Sequence, residues 1–232
     1  MGSPVGIVRF PGSNCEFDVA ESLGFLGAET VYLWHQDDEI GDVGAVVVPG
    51  GFAHGDYLRP GAIARFSPIM GAVSAFAAAG GPVVGICNGF QVLTEAGLLP
   101  GALQKNVGLK FRCESSVIRV ETTNSPLTEQ MTTGSLLNIP INHFEGNYTC
   151  SPEVLAELLT NDQVVFRYVD NPNGSVDDIA GVCSVGRNVV GLMPHPERAC
   201  HPLLGSTDGV GLMRSLLAAA GWTDDPVSAR PG

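Results

Sequence analysis

Residues 85–89, Gly85-Ile86-Cys87-Asn88-Gly89, put a thiol at the centre of a glycine-framed pentad. This is the G-x-nucleophile-x-G spacing of a nucleophile elbow, with cysteine in place of serine. A nucleophile on a sharp strand-to-helix turn needs small residues two positions away on either side, where backbones crowd. A helix starting just after it favours an anion at position 87. The same spacing also fits an inert cysteine buried on a glycine-rich packing turn. A reactive thiol needs a base and a group that orients the base. Of the five histidines, His35, His54, His143, His195 and His201, His195 lies just after the apolar run Val189–Met193 and has an acid two residues on, in Met193-Pro194-His195-Pro196-Glu197. Flanking prolines bias this segment towards extension, which would turn His195 and Glu197 to one side and let the carboxylate fix the imidazole tautomer. The alternative is a loop histidine beside a surface acid. Pro49-Gly50-Gly51 supplies a third part, either an ordinary turn or a loop whose N–H groups approach a substrate. The N–H of Gly50 or Gly51, with that of Asn88, would make an oxyanion hole. Together these parts describe acyl transfer through a thioester.

These residues need a sheet whose strand ends converge. Short apolar runs at Pro4–Phe10, Thr30–Trp34, Ala45–Val48 and Pro82–Ile86 alternate with helical patterns over Cys15–Leu26, Ile63–Ala79 and Gly89–Ala96. Uninterrupted apolar strands between helices predict a parallel sheet covered on both faces. The second half is richer in strands, at Ser116–Glu121, Leu136–Ile139, Val164–Val169, Ile179–Val185 and Val189–Met193, before a closing helix over Asp208–Ala220. Strands 82–86 and 189–193 would bring Cys87 and His195 to one sheet edge, where open α/β sheets keep their sites. No linker divides the chain, which reads as one domain over residues 1–221 and a loose polar tail over 222–232.

Composition narrows the function classes. Twelve basic residues face 24 acidic ones among 232, a net charge of −12, which argues against nucleic acid or an anionic membrane as the main partner. The longest nearly uncharged apolar run, Pro68–Ala79, is too short to span a bilayer, and the N-terminus lacks the layout of a signal peptide. The six cysteines contain no CxxC-type pair, so they read as reduced thiols of a cytoplasmic protein with no metal site. Thirty glycines and 16 prolines combine with 44% hydrophobic residues, a mixture that favours tight turns over disorder.

The chain resembles the class I, triad-type glutamine amidotransferases, whose fold is a flavodoxin-like open α/β sheet. Within them it is similar to the branch that serves phosphoribosylformylglycinamidine synthase in purine biosynthesis. The Cys87 and His195 motifs carry the superfamily likeness, and Gly174-Ser175 and Ile179-Ala180-Gly181 add to the resemblance late in the chain. Phe10-Pro11-Gly12-Ser13-Asn14-Cys15 and Gly55–Arg65 carry the branch. The resemblance implies Cys87 as nucleophile, His195 and Glu197 as its partners, and Phe52, Gln91 and His143 beside the glutamine substrate. It implies release of ammonia to a separate synthetase subunit, with a small bridging subunit. ATP and Mg belong on the synthetase, since this chain has no G-x-x-x-x-G-K-[ST] loop and needs no cofactor of its own. Four positions depart from the family pattern: Ala53, His54, Pro60 and Phe144. Rival readings are an amidotransferase subunit feeding another synthetase, a cysteine hydrolase of related fold, and a non-catalytic assembly subunit.

Overall fold

The structure is a computed structural model, and it describes residues 2–223. Nine strands form one sheet in the order β2-β1-β3-β4-β11-β10-β9-β6-β7. The first five are β2 (Thr30–Trp34), β1 (Val5–Arg9), β3 (Ala45–Val48), β4 (Val83–Ile86) and β11 (Val189–Leu192), and they are mutually parallel. β3, β4 and β11 are buried at every position, as strands with both faces covered must be. α3 (Asn88–Glu95) packs on β3, β4 and β11, α1 (Glu16–Phe25) on β1 and β2, and α5 (Val210–Ala219) on β3.

β10 (Ile179–Cys183), β9 (Val164–Tyr168), β6 (Arg112–Val120) and β7 (Leu136–His143) extend the sheet antiparallel from β11. Along β7 buried and exposed residues alternate, so one face of this arm meets water. A two-stranded ribbon pairs β5 (Ala102–Gln104) with β8 (Asn147–Thr149). The single α/β sheet flanked by helices, with antiparallel strands added in the second half, matches the pattern expected from the sequence.

Three local expectations need correction. The helix expected from Ile63 is a 3₁₀ turn at Ala64–Phe66 followed by α2 (Pro68–Ala78), because Pro68 fits the first helical position and Ser67 before it is extended. α4 (Pro152–Thr160), capped by Ser151 Oγ accepting from the Val154 N–H at 3.3 Å, was not anticipated. At residue 222 the chain is not loose: Trp222 Nε1–H donates to the Ser3 carbonyl at 2.8 Å. The remainder of the expected tail, 224–232, lies outside the described residues.

The strand order places the site. β1 leads to β2 on one side, while β3 lies on its other side, so the loops leaving β1 and β3 diverge around a crevice. The loop at 10–15 and the loop at 49–54 meet there. Phe52 N–H donates to Gly12 O at 2.9 Å, and the N–H groups of Asn14 and Cys15 donate to Gly50 O at 3.4 and 3.2 Å.

Candidate active site

Cys87 ends β4 and caps the N-terminus of α3 at φ 50°, ψ −105°. A non-glycine residue there carries backbone strain of about 1–3 kcal/mol, so its surroundings must impose it. The restraints are visible. The Cys87 N–H continues the β4–β11 ladder to Leu192 O at 2.8 Å. A Cβ on Gly89 would strike the carbonyl of Val48, and one on Gly85 would stand 2.7 Å from the backbone of Gly89. The two framing glycines let the start of α3 lie directly against β3 and β4, and that closeness bends the chain at Cys87. The side chain is 5% exposed, and its thiol donates to Asn142 O at 3.6 Å.

β11 brings His195 to the same edge. Its Nδ1 lies 2.6 Å from Glu197 Oε1, and both side chains are buried. The segment is not extended as expected. Pro196–Ala199 is a 3₁₀ turn, and this turn, rather than alternation along an extended chain, folds Glu197 back onto the imidazole. Burial alone would discharge His195. The carboxylate of Glu197, the Cys87 thiol and the Cys15 thiol together outweigh it, and hold the imidazole pKa well above its ordinary value. His195 Nε2 is buried without a hydrogen-bond partner. It is the ring nitrogen left for proton transfer.

The oxyanion candidates flank this pair. Gly51 has φ 149°, and a Cβ there would stand 2.8 Å from Ser13 Cα, so the position requires glycine. The bridge between Ser13 and Gly51 uses the N–H groups of Asn14 and Phe52, which leaves the N–H of Gly51 outside it. Asn88 is the first residue of α3, where an N–H has no intrahelical carbonyl to reach. The Asn88 side chain ties the region together. Its Oδ1 accepts from the Ala53 N–H at 3.0 Å, and its Nδ2 donates to Gln91 Oε1 at 2.9 Å and to Asp56 Oδ1 at 3.2 Å. Burial, with Glu145 adding to it, pushes Asp56 up to about 6, although the Asn88 bond opposes the shift.

The antiparallel arm supplies the opposite wall. Gln91 Nε2 donates to Glu145 O at 2.6 Å, so one of its two N–H groups remains for other use. His143 is buried with neither ring nitrogen bonded. Burial, with His195 adding to it, takes its pKa down to about 4, so it is a neutral imidazole at pH 7. Phe52 is 46% exposed at the edge of the loop after β3. Phe144 turns towards Lys105, whose Nζ is 5.9 Å from the ring centroid. His54 is engaged elsewhere, with Nε2 at 3.3 Å from Ser67 Oγ and its ring against His35 and Phe10.

Sequence reasoning missed several residues of this wall. Asn106 donates to His143 O at 3.1 Å and accepts from the Gly146 N–H at 3.1 Å. Asn173 donates to Gly146 O at 2.8 Å and bonds Ser175. They are isolated polar residues in loops, and no periodicity announces them; Gly174-Ser175 was the nearest signal. Cys15, His195 and Glu197 hold donor atoms within 4.8 Å of one another, the spacing of a metal site. The chemistry of the set does not suit a cation, because Nδ1 is committed to Glu197 and the guanidinium of Arg198 lies on the Cys15 sulfur. A cavity of about 670 Å³ adjoins Glu197 and Arg198, but Cys87 is not among its walls, so it is not the thiol's pocket.

An elbow thiol, a buried imidazole–carboxylate pair and two N–H groups beside them, on a nine-stranded α/β sheet, are the parts of a thiol-dependent amide hydrolase. The family description "CobB/CobQ-like glutamine amidotransferase domain" matches residues 3–208, and the chain belongs to the glutamine amidotransferases. Phosphoribosylformylglycinamidine synthase subunit PurQ of Rubrobacter xylanophilus is 58% identical over 216 residues, which covers 93% of this chain and 98% of that one. The protein of the same description from Synechococcus elongatus is 56% identical over 214 residues, covering 92% and 97%. A chain in the structure of PurLQS from Thermotoga maritima superposes with a TM-score of 0.87 at 41% identity, covering 94% of this chain and 99% of that chain. Among the described residues no helix is long and apolar enough to cross a membrane.

Proposed function

We propose that this chain is the glutaminase subunit of a phosphoribosylformylglycinamidine synthase. It hydrolyses L-glutamine to glutamate and passes ammonia to a partner synthetase in purine biosynthesis. The observation that carries the reading is the strained elbow of Cys87 at the same sheet edge as the buried His195–Glu197 pair. Identity of 53–58% to PurQ subunits over more than nine-tenths of the chain supports the choice among amidotransferases.

His195 Nε2 takes the Cys87 proton, and the sulfur attacks the side-chain amide carbon of glutamine. The N–H groups of Gly51 and Asn88 hold the oxyanion, a donor of this kind being worth ~3–4 kcal/mol in the transition state. The C–N bond breaks as His195 returns the proton to the leaving nitrogen, giving ammonia and a γ-glutamyl thioester. Water then attacks the thioester, His195 takes its proton and passes it to the departing sulfur, and glutamate leaves. Glu197 accepts from Nδ1–H and holds the imidazole in that tautomer. The neutral, unpartnered imidazole of His143, the free N–H of Gln91 and the ring of Phe52 are offered as substrate contacts.

The partners are a synthetase subunit, which binds ATP and Mg, and a small bridging subunit. A reducing cytoplasm suits the six cysteines, all of which are free thiols. The test is Cys87→Ala in the assembled complex. Glutamine-driven synthesis should fall at least ~10⁴-fold while ammonia-driven synthesis continues; glutamine-driven turnover surviving in the variant would refute the nucleophile.

A further inference from the structure

Cys15 is the last residue of the loop that joins β1 to α1, and its side chain is 1% exposed. It touches the catalytic machinery from a side that the mechanism does not use. A Cβ built on Gly50 would lie 2.7 Å from His195 Cε1 and 3.0 Å from Cys15 Sγ, so the sulfur and the leading edge of the imidazole converge on the same small residue. Cys15 Sγ, a ring nitrogen of His195 and a carboxylate oxygen of Glu197 all lie within 4.8 Å of one another.

The sulfur is itself held. Its S–H donates to Asn14 Oδ1 at 3.1 Å, and Arg198 Nη2–H donates to the sulfur at 3.1 Å. Arg198 is fixed in turn by Asp18, with Nε–H to Oδ2 at 3.0 Å. The clamp therefore joins the first turn of α1 to the 3₁₀ turn after His195, across 180 residues of sequence. By contrast, the ring of His195 has one hydrogen bond, at Nδ1, and none at Nε2. One bond leaves an imidazole free to pivot about that contact, and a misplacement of ~1 Å in a reacting group costs as much as 10²-fold in rate.

We infer that Cys15 is a positioning residue for His195: its thiol, braced by Arg198 and Asn14, closes off the Cε1 edge of the ring and keeps Nε2 directed at Cys87. This rests on the reading of His195 as the base. The same loop also bonds Gly50 through the N–H groups of Asn14 and Cys15, so one segment sets both the base and the oxyanion loop. The groups facing His195 are Glu197, Cys87, Cys15 and His143, with Arg198 on the far side of the sulfur. Of these, Cys15 strengthens the hold of the ring on the proton it takes from Cys87, so its removal should move the His195 titration to lower pH.

The experiment uses the assembled complex with Cys15→Ala and Cys15→Ser. The alanine variant should lose on the order of ten- to a hundredfold in glutamine-driven kcat. Its KM for glutamine should stay within about twofold and its ammonia-driven rate should not change, because Cys15 touches neither substrate nor partner chemistry in this account. NMR titration of the His195 ring in the isolated chain should move to lower pH. Serine, which keeps a small donor and acceptor in place, should recover most of the rate. Asp18→Asn, which loosens Arg198 without touching the core, should give a smaller loss of the same kind and guards against a Cys15→Ala chain that does not fold. Wild-type kcat and titration in Cys15→Ala, or in Asp18→Asn if alanine does not fold, would overturn the inference. So would an equal fall in the ammonia-driven rate, which would mark damage to assembly. If wild-type Cys87 did not react with a glutamine-analogue electrophile, the reading of the whole site would fall first, and this inference with it.

Discussion

The parallel half of the sheet and its antiparallel arm contribute to the site in different ways. In the parallel half, β3, β4 and β11 are buried at every residue, and the proposed reacting groups sit within three residues of their ends. Backbone contact fixes Cys87 there, with little tolerance for an added atom. In the arm, β6 and β7 alternate between buried and exposed positions, and what reaches the site is loop backbone and polar side chains: Asn142 O, His143 and Glu145 O. Cys87 is held by main chain packed against main chain, and the candidate substrate wall by hydrogen-bonded side chains. Changes in the first should stop chemistry or folding, and changes in the second should tune binding.

The largest expected effect lies in the parallel half. Glu197→Gln removes the carboxylate that is the largest of the groups opposing burial at His195, so the imidazole pKa should fall and kcat should drop on the order of 10²–10⁴-fold. Initial rates of glutamate formation and an NMR titration of His195 would read the two outcomes; an unchanged rate would remove Glu197 from the mechanism. Gly89→Ala should destabilise the fold by about 3 kcal/mol, because its Cβ meets the unyielding backbone of Val48. Gly146→Ala in the arm meets first the ring of His143, a side chain rather than backbone, and should cost about 1 kcal/mol by chemical denaturation. Equal costs would erase the contrast.

A binding role in the arm predicts that His143→Asn raises the KM for glutamine about tenfold and changes kcat by less than about threefold, the pattern of a contact made equally in ground and transition states. A collapse of kcat at constant KM would move His143 into the chemistry instead.

The smallest effects concern pH. His143 titrates near 4 in the folded chain and near 6.5 unfolded, so the unfolded state binds more protons between those values and stability falls as pH drops through that window. Asp56 runs the other way. Its carboxyl titrates near 6 folded against 3.8 unfolded, so its contribution is lost as pH rises from about 4 to 6. Asp56→Asn should therefore raise Tm at pH 7 by about 2–4 °C, the shift of ~1 kcal/mol for a chain of this size, while His143→Asn should flatten the acid-side decline. A Tm at pH 7 unmoved by Asp56→Asn would show that solvent screens this carboxyl.

The contrast also explains what the sequence made legible. Apolar strands covered on both faces write themselves as runs such as Ala45–Val48 and Val83–Ile86, and a backbone-determined elbow writes itself as glycines at fixed spacing around Cys87. The strands of the parallel half and the elbow could therefore be read from the sequence, although the helix expected from Ile63 begins only at Pro68. The His195–Glu197 pair was legible as a spacing, but the geometry behind it was not, since a 3₁₀ turn achieves what extension was expected to do. In the arm, Asn106 and Asn173 act through bonds to distant backbone, to Gly146 and to the carbonyl of His143. No local periodicity marks such contacts. Cys15 was visible only as part of the Phe10–Cys15 stretch, because its place beside His195 depends on how β1 and β11 lie in the sheet.

The central claim is that Cys87, and not any of the other five thiols, forms the thioester. The most direct measurement is to incubate the assembled complex with a glutamine-analogue electrophile and map the adduct by peptide mass spectrometry. The account predicts one adduct, on Cys87, competed away by glutamine and abolished by Cys87→Ala. An adduct on Cys15, or loss of glutaminase activity with Cys87 unmodified, would contradict it.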